Sequence, residues 1–236
     1  MRYRNHIILD FEMNPTDKRL TRQAGCCLWQ EIIEIGAVKL NADYEEVDHF
    51  SCYVRPQYND HITREISNLT HIYSSNAFSA DPLATGLERF VDWIGTGRTR
   101  VYSWSFSDLF QLEDECEVKQ ISFPACLGRW MNFQALYPRM LGYPQSNQLS
   151  LRDACQMGRV ALDLERCHGA LYDAEVTTQL LIPILDGSYK ETAKDARRFL
   201  VEGVPTGNCS LDVASGGKLA ALLAAMTGKK NPVGVE

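Results

Sequence analysis

The stretch HIILDFEMNP, residues 6–15, places two acids at the end of an apolar run. Residues 6–11 predict a short buried strand, because three aliphatic residues follow one another there. Alternate side chains of a strand point to the same side, so we expect Asp10 and Glu12 to lie together. Two close carboxylates repel each other unless a cation lies between them, and oxygen ligands favour magnesium or manganese. The alternative is an exposed strand end that carries two solvated acids.

Further strands and helices follow along the chain. EIIEIGAVKL (31–40) and VDHFSCYVRP (47–56) predict two strands that form an antiparallel meander with the first, because the connections are too short for a parallel crossover. TRVYSW (99–104) predicts a fourth strand, whereas the polar stretch 13–29 is typical of a loop. Helices are predicted over 81–95, 107–116, 128–141, 150–157 and 170–185. This order indicates the α/β class, with a mixed sheet flanked by helices.

The bulk composition limits the architecture and the class of function. A chain of 236 residues with 45% hydrophobic residues suits one large domain with or without an appendage. We expect a core domain over 1–186 and a C-terminal appendage, helical or partly disordered, over 187–236. The sequence shows neither a membrane-spanning run nor a signal-peptide pattern, so a cytoplasmic protein without a membrane partner is expected. The net charge of −6 argues against a basic coat protein of nucleic acids, but bound cations could offset an acidic enzyme site.

The eight cysteines do not suggest a zinc site. None of them forms a CxxC pair, and adjacent residues such as Cys26 and Cys27 rarely both bind one ion. We therefore expect reduced thiols.

Two later stretches add candidate site residues. In SWSFSDLFQL (103–112), Asp108 follows the end of a strand, where ligands gather in open sheets, although Glu113, Asp114 and Glu115 compete with it. An acid in the first turn of a helix is also an ordinary capping choice.

In CHGALYDAE (167–175), His168 and Asp173 would diverge by about 140° on one helix. They converge only if His168 precedes the helix, and Gly169 makes such a bend easy. A capping histidine and a solvated helix acid are the alternatives at these two positions.

In this order the five candidates resemble the DEDDh 3′–5′ exonucleases, the proofreading-exonuclease (DnaQ-like) superfamily with a ribonuclease H-like fold. The resemblance covers about residues 5–186. RPQYNDHITREISNLTHI resembles the "RP…I…LTGI" segment of that family, and SWSFSD resembles its "WGxxD" segment, with His71 and Ser105 where glycine is usual. The branch with histone-mRNA and small-RNA exonucleases is the most similar.

The resemblance implies a five-stranded ribonuclease H-like mixed sheet and a metal-dependent 3′–5′ exonuclease. It implies that two Mg²⁺ or Mn²⁺ ions are bound by four carboxylates, with Asp10 as the bridging ligand. The four are Asp10, Glu12, Asp108 and Asp173. His168 would be the general base, because an imidazole with a pKa near 6.5 suits that role.

The implied substrate is the 3′ end of a single-stranded nucleic acid, RNA in preference to DNA, and the product is a nucleoside 5′-monophosphate. Met13 and Leu69 would pack near the terminal base and Phe106 would stack on a base, although Leu69 and Phe106 also fit the core. A homodimer is compatible with the resemblance. A DNA-directed proofreading or repair exonuclease and a catalytically weak nucleic-acid-binding module remain the alternatives.

Overall fold

Strand β1 lies in the middle of a five-stranded sheet with the order β3-β2-β1-β4-β5. The computed structural model of the chain describes residues 3–141 and 149–189. The strands are β1 (Asn5–Pro15), β2 (Gln30–Leu40), β3 (Glu46–Tyr53), β4 (Thr99–Ser103) and β5 (Trp130–Asn132). The helices are α1 (Lys18–Ala24), α2 (Arg64–Thr70), α3 (Ser74–Phe78), α4 (Leu83–Ile94), α5 (Ser107–Val118), α6 (Phe133–Leu141), α7 (Leu151–Gly158) and α8 (Ala170–Asp186).

The sheet is mixed, as the sequence predicts. β1, β2 and β3 form the antiparallel meander, whereas β4 pairs parallel with β1 and β5 pairs parallel with β4. Parallel pairing requires a long crossover, and the helices between β3 and β4 provide it. The carboxyl ends of β1 and β4 therefore lie at the same edge of the sheet.

Each face of the sheet carries its own apolar core, because successive side chains of β1 alternate between the faces. Ile8 belongs to the cluster that includes residues of α6, α7 and α8. Ile7, Leu9 and Phe11 belong to the other cluster, with residues of α4 and α5. Asp10 and Glu12 continue the series of Ile8 and thus lie on the α8 side of the sheet.

Three local predictions were wrong. The stretch 13–29 contains the last residues of β1 and the helix α1, which Asp17 caps by accepting a hydrogen bond from the N–H of Arg19. The stretch 128–141 begins with strand β5 before its helix starts at Phe133. The helix predicted over 81–95 is shorter, since α4 spans Leu83–Ile94 with Pro82 at its N-cap.

A buried charge network ties β2 to α5. Lys119 Nζ lies 2.9 Å from Glu31 Oε1 and 2.5 Å from Glu115 Oε2, and the three side chains are almost fully buried. Glu31 also accepts the backbone N–H of Tyr58 at 2.8 Å, and Glu115 that of Ile32. One cation between two carboxylates offsets much of the cost of burying them.

The described part of the chain contains no helix that is both long and apolar enough to cross a membrane. Its seven cysteines are free thiols. The predicted appendage over 187–236 lies outside the described residues from position 190 onward.

Candidate active site

Asp10 and Glu12 lie near the carboxyl end of β1, on the face that α8 covers. Asp10 pairs with Gly36 of β2, and Glu12 pairs with Glu34. The regular register between the two strands shifts directly after Glu12. A bulge at this point bends the strand and ends the regular ladder next to the two acids.

Asp108 reaches the same place from α5, which starts four residues after β4 ends. Its side chain is only 4% exposed, and its Oδ1 accepts the backbone N–H of Phe11 at 3.3 Å. The competing Glu113 and Asp114 are exposed, and Glu115 is bound in the network with Lys119. Asp108 is therefore the acid of this segment that faces the end of β1.

His168 and Asp173 are brought together by the turn before α8. His168 has the left-handed backbone conformation (φ 63°), and Gly169 is extended (φ −110°). The bend that the sequence assigns to Gly169 thus falls on His168 itself, a residue type that tolerates this conformation better than most. Ligand atoms of Glu12, His168 and Asp173 all lie within 4.8 Å of one another.

The site is strongly acidic, and burial raises the pKa of each of its carboxyl groups. The pKa of Glu12 rises to about 9, mainly through burial and then through the charges of Asp173 and Glu34. Burial and the Asp108 charge raise the pKa of Asp10 well above its usual range. Burial raises the pKa of Asp108 to about 7, and the N–H of Phe11 opposes that rise.

Asp173 follows the same trend, since burial raises its pKa while the neighbouring His168 lowers it. A bound cation would offset the cost of ionising these buried carboxyl groups, whose pKa values are raised without it. Carboxylate oxygens are also the ligands that a hard divalent cation prefers. Glu12, His168 and Asp173 could hold one such ion.

Glu34 is the residue of this region that the sequence did not single out. It lies opposite Glu12 on β2, is 8% exposed, and accepts the N–H of Ala170, the first residue of α8. The two partners are 136 positions apart in the chain, so no local pattern predicts the contact.

The three predicted substrate contacts are accessible to different degrees. Met13 is half-buried on β1 just beyond the bulge, and its sulfur accepts a hydrogen bond from Gln30. Leu69, near the end of α2, is 45% exposed, and Phe106, at the N-cap of α5, is 36% exposed. Neither Leu69 nor Phe106 is therefore a buried core residue. The ring of Phe106 lies 5.8 Å from that of Phe110, which is also exposed.

The family model for "Exonuclease" (RNase_T) matches residues 7–181, from the start of β1 into α8. The chain belongs to the exonuclease family. The family that the sequence predicts is thereby confirmed, and the solved structure described below confirms the predicted ribonuclease H-like fold.

Curated relatives of this exonuclease-family chain include two exoribonucleases. The "3'-5' exoribonuclease 1" of Rattus norvegicus is 25% identical over 166 residues, which cover 66% of this chain and 47% of the relative. The "ERI1 exoribonuclease 2" of Danio rerio is 32% identical over 225 residues, covering 84% of this chain and 38% of the relative. The chain thus spans less than half the length of these two relatives.

A solved structure has the same fold as this exonuclease-family chain. It is the nuclease domain of 3'hExo, a DEDDh family member bound to rAMP. The likeness has a TM-score of 0.65 at 24% sequence identity, and it covers 78% of this chain and 93% of that domain.

Proposed function

We propose that the chain is a metal-dependent 3′–5′ exonuclease that removes nucleoside 5′-monophosphates from single-stranded RNA. The observation that carries the proposal is the cluster at the carboxyl end of β1, where ligand atoms of Glu12, His168 and Asp173 lie within 4.8 Å of one another and Asp108 binds the N–H of Phe11, next to Asp10. The four carboxylates and the histidine come from three segments of the chain, namely Asp10 and Glu12, Asp108, and His168 with Asp173.

The four carboxylates are proposed to hold two Mg²⁺ or Mn²⁺ ions. When bound, such ions supply positive charge for the phosphoryl oxygens and make water a stronger acid. The residues do the positioning. The N–H of Phe11 orients Asp108, and α8 presents Asp173 from its first turn.

His168 is proposed to take the proton from the attacking water. Its side chain is exposed at the edge of the acidic cluster, so both water and a substrate can reach it. Ligand atoms of Glu12 and Asp173 lie within 4.8 Å of its imidazole, so His168 is positioned beside the groups that would hold the ions.

The substrate is proposed to lie against the apolar side chains of Met13, Leu69 and Phe106. Single-stranded nucleic acids stack on aromatic side chains with little dependence on sequence, as an enzyme that removes successive nucleotides requires. RNA is favoured over DNA because the curated relatives are exoribonucleases.

The test uses 5′-labelled single-stranded RNA and DNA of equal sequence, each with Mg²⁺, with Mn²⁺ and with EDTA. We expect a metal-dependent ladder that shortens from the 3′ end, is stronger on RNA, and is absent for Asp10→Ala. A preference for DNA would overturn the substrate class, and cleavage in EDTA would overturn the metal requirement. Binding without any ladder would support a nucleic-acid-binding module instead.

A matched pair of variants separates the substrate surface from the reaction centre. Phe106→Ala should raise KM about 5-fold or more on RNA with little change in kcat, since one base stack contributes about 1–3 kcal/mol. Val47→Ala is the control, because Val47 is also exposed (53%) but lies at the start of β3, where β2 pairs with the opposite end of β1 from Asp10 and Glu12. Equal effects of the two changes would contradict a stacking role for Phe106.

A further inference from the structure

Glu34 is a fifth carboxylate beside the four proposed metal ligands, but its surroundings are different. It lies on β2 directly opposite Glu12 and is 8% exposed. Among the described residues, the group of ligand atoms that could hold a metal ion consists of Glu12, His168 and Asp173, and it leaves out Glu34 as it leaves out Asp10 and Asp108, so the hydrogen bonds of Glu34 are what set it apart.

Both oxygens of Glu34 accept hydrogen bonds from the chain itself. Oε2 accepts the backbone N–H of Ala170 at 3.1 Å, and Oε1 accepts the hydroxyl of Ser51 at 3.2 Å. These two bonds fix the carboxylate between β3 and the start of α8. Its geometry is that of an anchor for a backbone segment.

The N–H of Ala170 needs such a partner. Ala170 is the first residue of α8, and the first N–H groups of a helix have no acceptor within the helix. The N-cap residue is Gly169, which has no side chain to supply one. Glu34 therefore supplies the missing cap from across the sheet, and a negative charge at that end of a helix is favourable.

Gly36, two residues further along β2, sets how closely the helix approaches. A Cβ atom at position 36 would lie 2.0 Å from the backbone nitrogen of Leu171 and 2.1 Å from the carbonyl carbon of Ala170. The first turn of α8 thus lies directly on the strand. The contact at Gly36 fixes its height above the sheet, and the bond to Glu34 fixes its rotation.

The anchored segment carries two of the proposed functional side chains. His168 lies two residues before Ala170, in the left-handed conformation that L residues adopt at some cost. Asp173 lies three residues after Ala170, in the first turn of α8. A released Ala170 would let the turn relax and move both side chains away from Glu12.

We propose that Glu34 is a positioning residue, which holds His168 and Asp173 in place by binding the N–H of Ala170. The role rests on the proposed function, since it concerns the same reaction centre. Glu34 acts through the backbone and contacts neither the substrate nor the reacting atoms.

Two conservative variants separate this role from a role of the charge. Glu34→Gln is neutral, but its amide oxygen can accept the N–H of Ala170 while its amide nitrogen donates to the oxygen of Ser51. Glu34→Asp keeps the charge, but it is shorter by one methylene and cannot reach Ala170 without a shift. Ser51→Ala is the matched control, since it removes the other bond and leaves Ala170 bound.

On 5′-labelled RNA with Mn²⁺, Glu34→Asp should lower kcat about 30- to 100-fold at unchanged KM, as small misplacements of reacting groups do. Glu34→Gln should restore kcat to within about 3-fold of the wild type, and Ser51→Ala should stay in that range. The opposite order, with the aspartate variant active and the glutamine variant inactive, would make Glu34 a charged ligand and overturn the proposal. Equal kcat for all variants would overturn it too.

Hydrogen exchange at the amide of Ala170 provides a readout that does not depend on activity. Glu34→Asp should exchange there at least about 10-fold faster than the wild type, and Glu34→Gln should not, because only the former loses the acceptor. If the wild type degrades neither RNA nor DNA, the proposed function fails, and this exchange pattern alone decides the role of Glu34. Unchanged exchange in Glu34→Asp would refute it.

Discussion

Replacing Glu12 by glutamine should stabilise the metal-free protein while abolishing its activity. Burial, followed by the charges of Asp173, Glu34 and Asp108, raises the pKa of Glu12 from 4.5 to about 9. At pH 7 the folded protein therefore keeps this carboxyl protonated, whereas the unfolded chain has released the proton. The uptake of this proton lowers the stability of the folded state relative to the unfolded chain, and a glutamine side chain avoids this cost because it takes up no proton.

The size of the gain follows from the pKa values. Taking up a proton at pH 7 on a group that has a pKa of 4.5 in the unfolded chain costs about 3.4 kcal/mol, at about 1.4 kcal/mol per pH unit. Glu12 is only half-buried, so water screens part of this cost, and we expect Glu12→Gln to gain about 1–2 kcal/mol. Because the folded pKa is raised, the stability of the wild type falls as the pH rises from about 4.5 to about 9. The gain in the free energy of unfolding of Glu12→Gln over the wild type should therefore be at most about 0.5 kcal/mol at pH 5. The same gain should be large at pH 8.

Urea denaturation in EDTA at pH 5, 6, 7 and 8 measures this difference. Glu88→Gln provides the control, since it makes the same chemical change on the exposed face of α4 and should alter stability equally little at every pH. Mg²⁺ should stabilise the wild type more than Glu12→Gln, because a ligand that binds only the folded state raises its stability. The electrostatic reasoning is refuted if Glu12→Gln is no more stable than the wild type in EDTA, or if its gain is independent of pH.

Three further predictions concern the surroundings of the site. His168→Asn keeps a residue that tolerates the left-handed conformation but removes the proposed base. The value of kcat should therefore fall at least about 100-fold while the melting temperature stays unchanged. A lower melting temperature with little change in kcat would indicate a structural role instead. Gly36→Ala should destabilise the fold by about 3 kcal/mol in urea, since its Cβ would meet backbone atoms of α8, and a cost below about 1 kcal/mol would mean that the helix can yield. Lys119→Met should cost about 3–5 kcal/mol because it leaves Glu31 and Glu115 buried without their cation; a neutral effect in urea denaturation would contradict that network.

Much of the sheet could be predicted from the sequence because its strands carry their own signals. β1 and β2 are long, apolar and bounded by turns, so their existence and antiparallel pairing follow from local pattern and from the short connection between them. Asp10 and Glu12 lie on one face by the same alternation. Their placement beneath α8 needed only one further fact, namely that Ile8 belongs to the core on that side.

Short elements did not show in the sequence, for physical reasons. β5 has three residues, all half-buried, so alternation has no room to appear, and the strand exists because β4 offers a parallel edge. α1 spans seven residues, too few for a clear apolar stripe. The sequence nevertheless carries residues that are typical of helix caps at both ends of α1. Asp17 precedes the helix, and Gly25 ends it in the left-handed conformation.

Contacts between distant segments could not be predicted from the sequence alone. Glu34 lies in an apolar run, where it looks like the polar member of an ordinary strand. Its role depends on Ala170, which only the folded chain brings to it. The predicted site residues carry chemistry that a motif can reveal, whereas a residue that positions a backbone N–H leaves no motif.

His71 and His168 both have left-handed backbone conformations, but different contacts stabilise the two turns. His71 ends α2 with φ 58°, where the family's usual glycine would adopt the same conformation without a Cβ, and its N–H is bound to the carbonyl of Ser67. His168 has φ 63° before α8, but here the following residue is held by Glu34 and seated on Gly36. At His71 the side chain is replaceable, because the turn requires only the backbone. At His168 the side chain is the proposed base, so the strain cannot be removed by glycine and must be held by the neighbouring contacts instead.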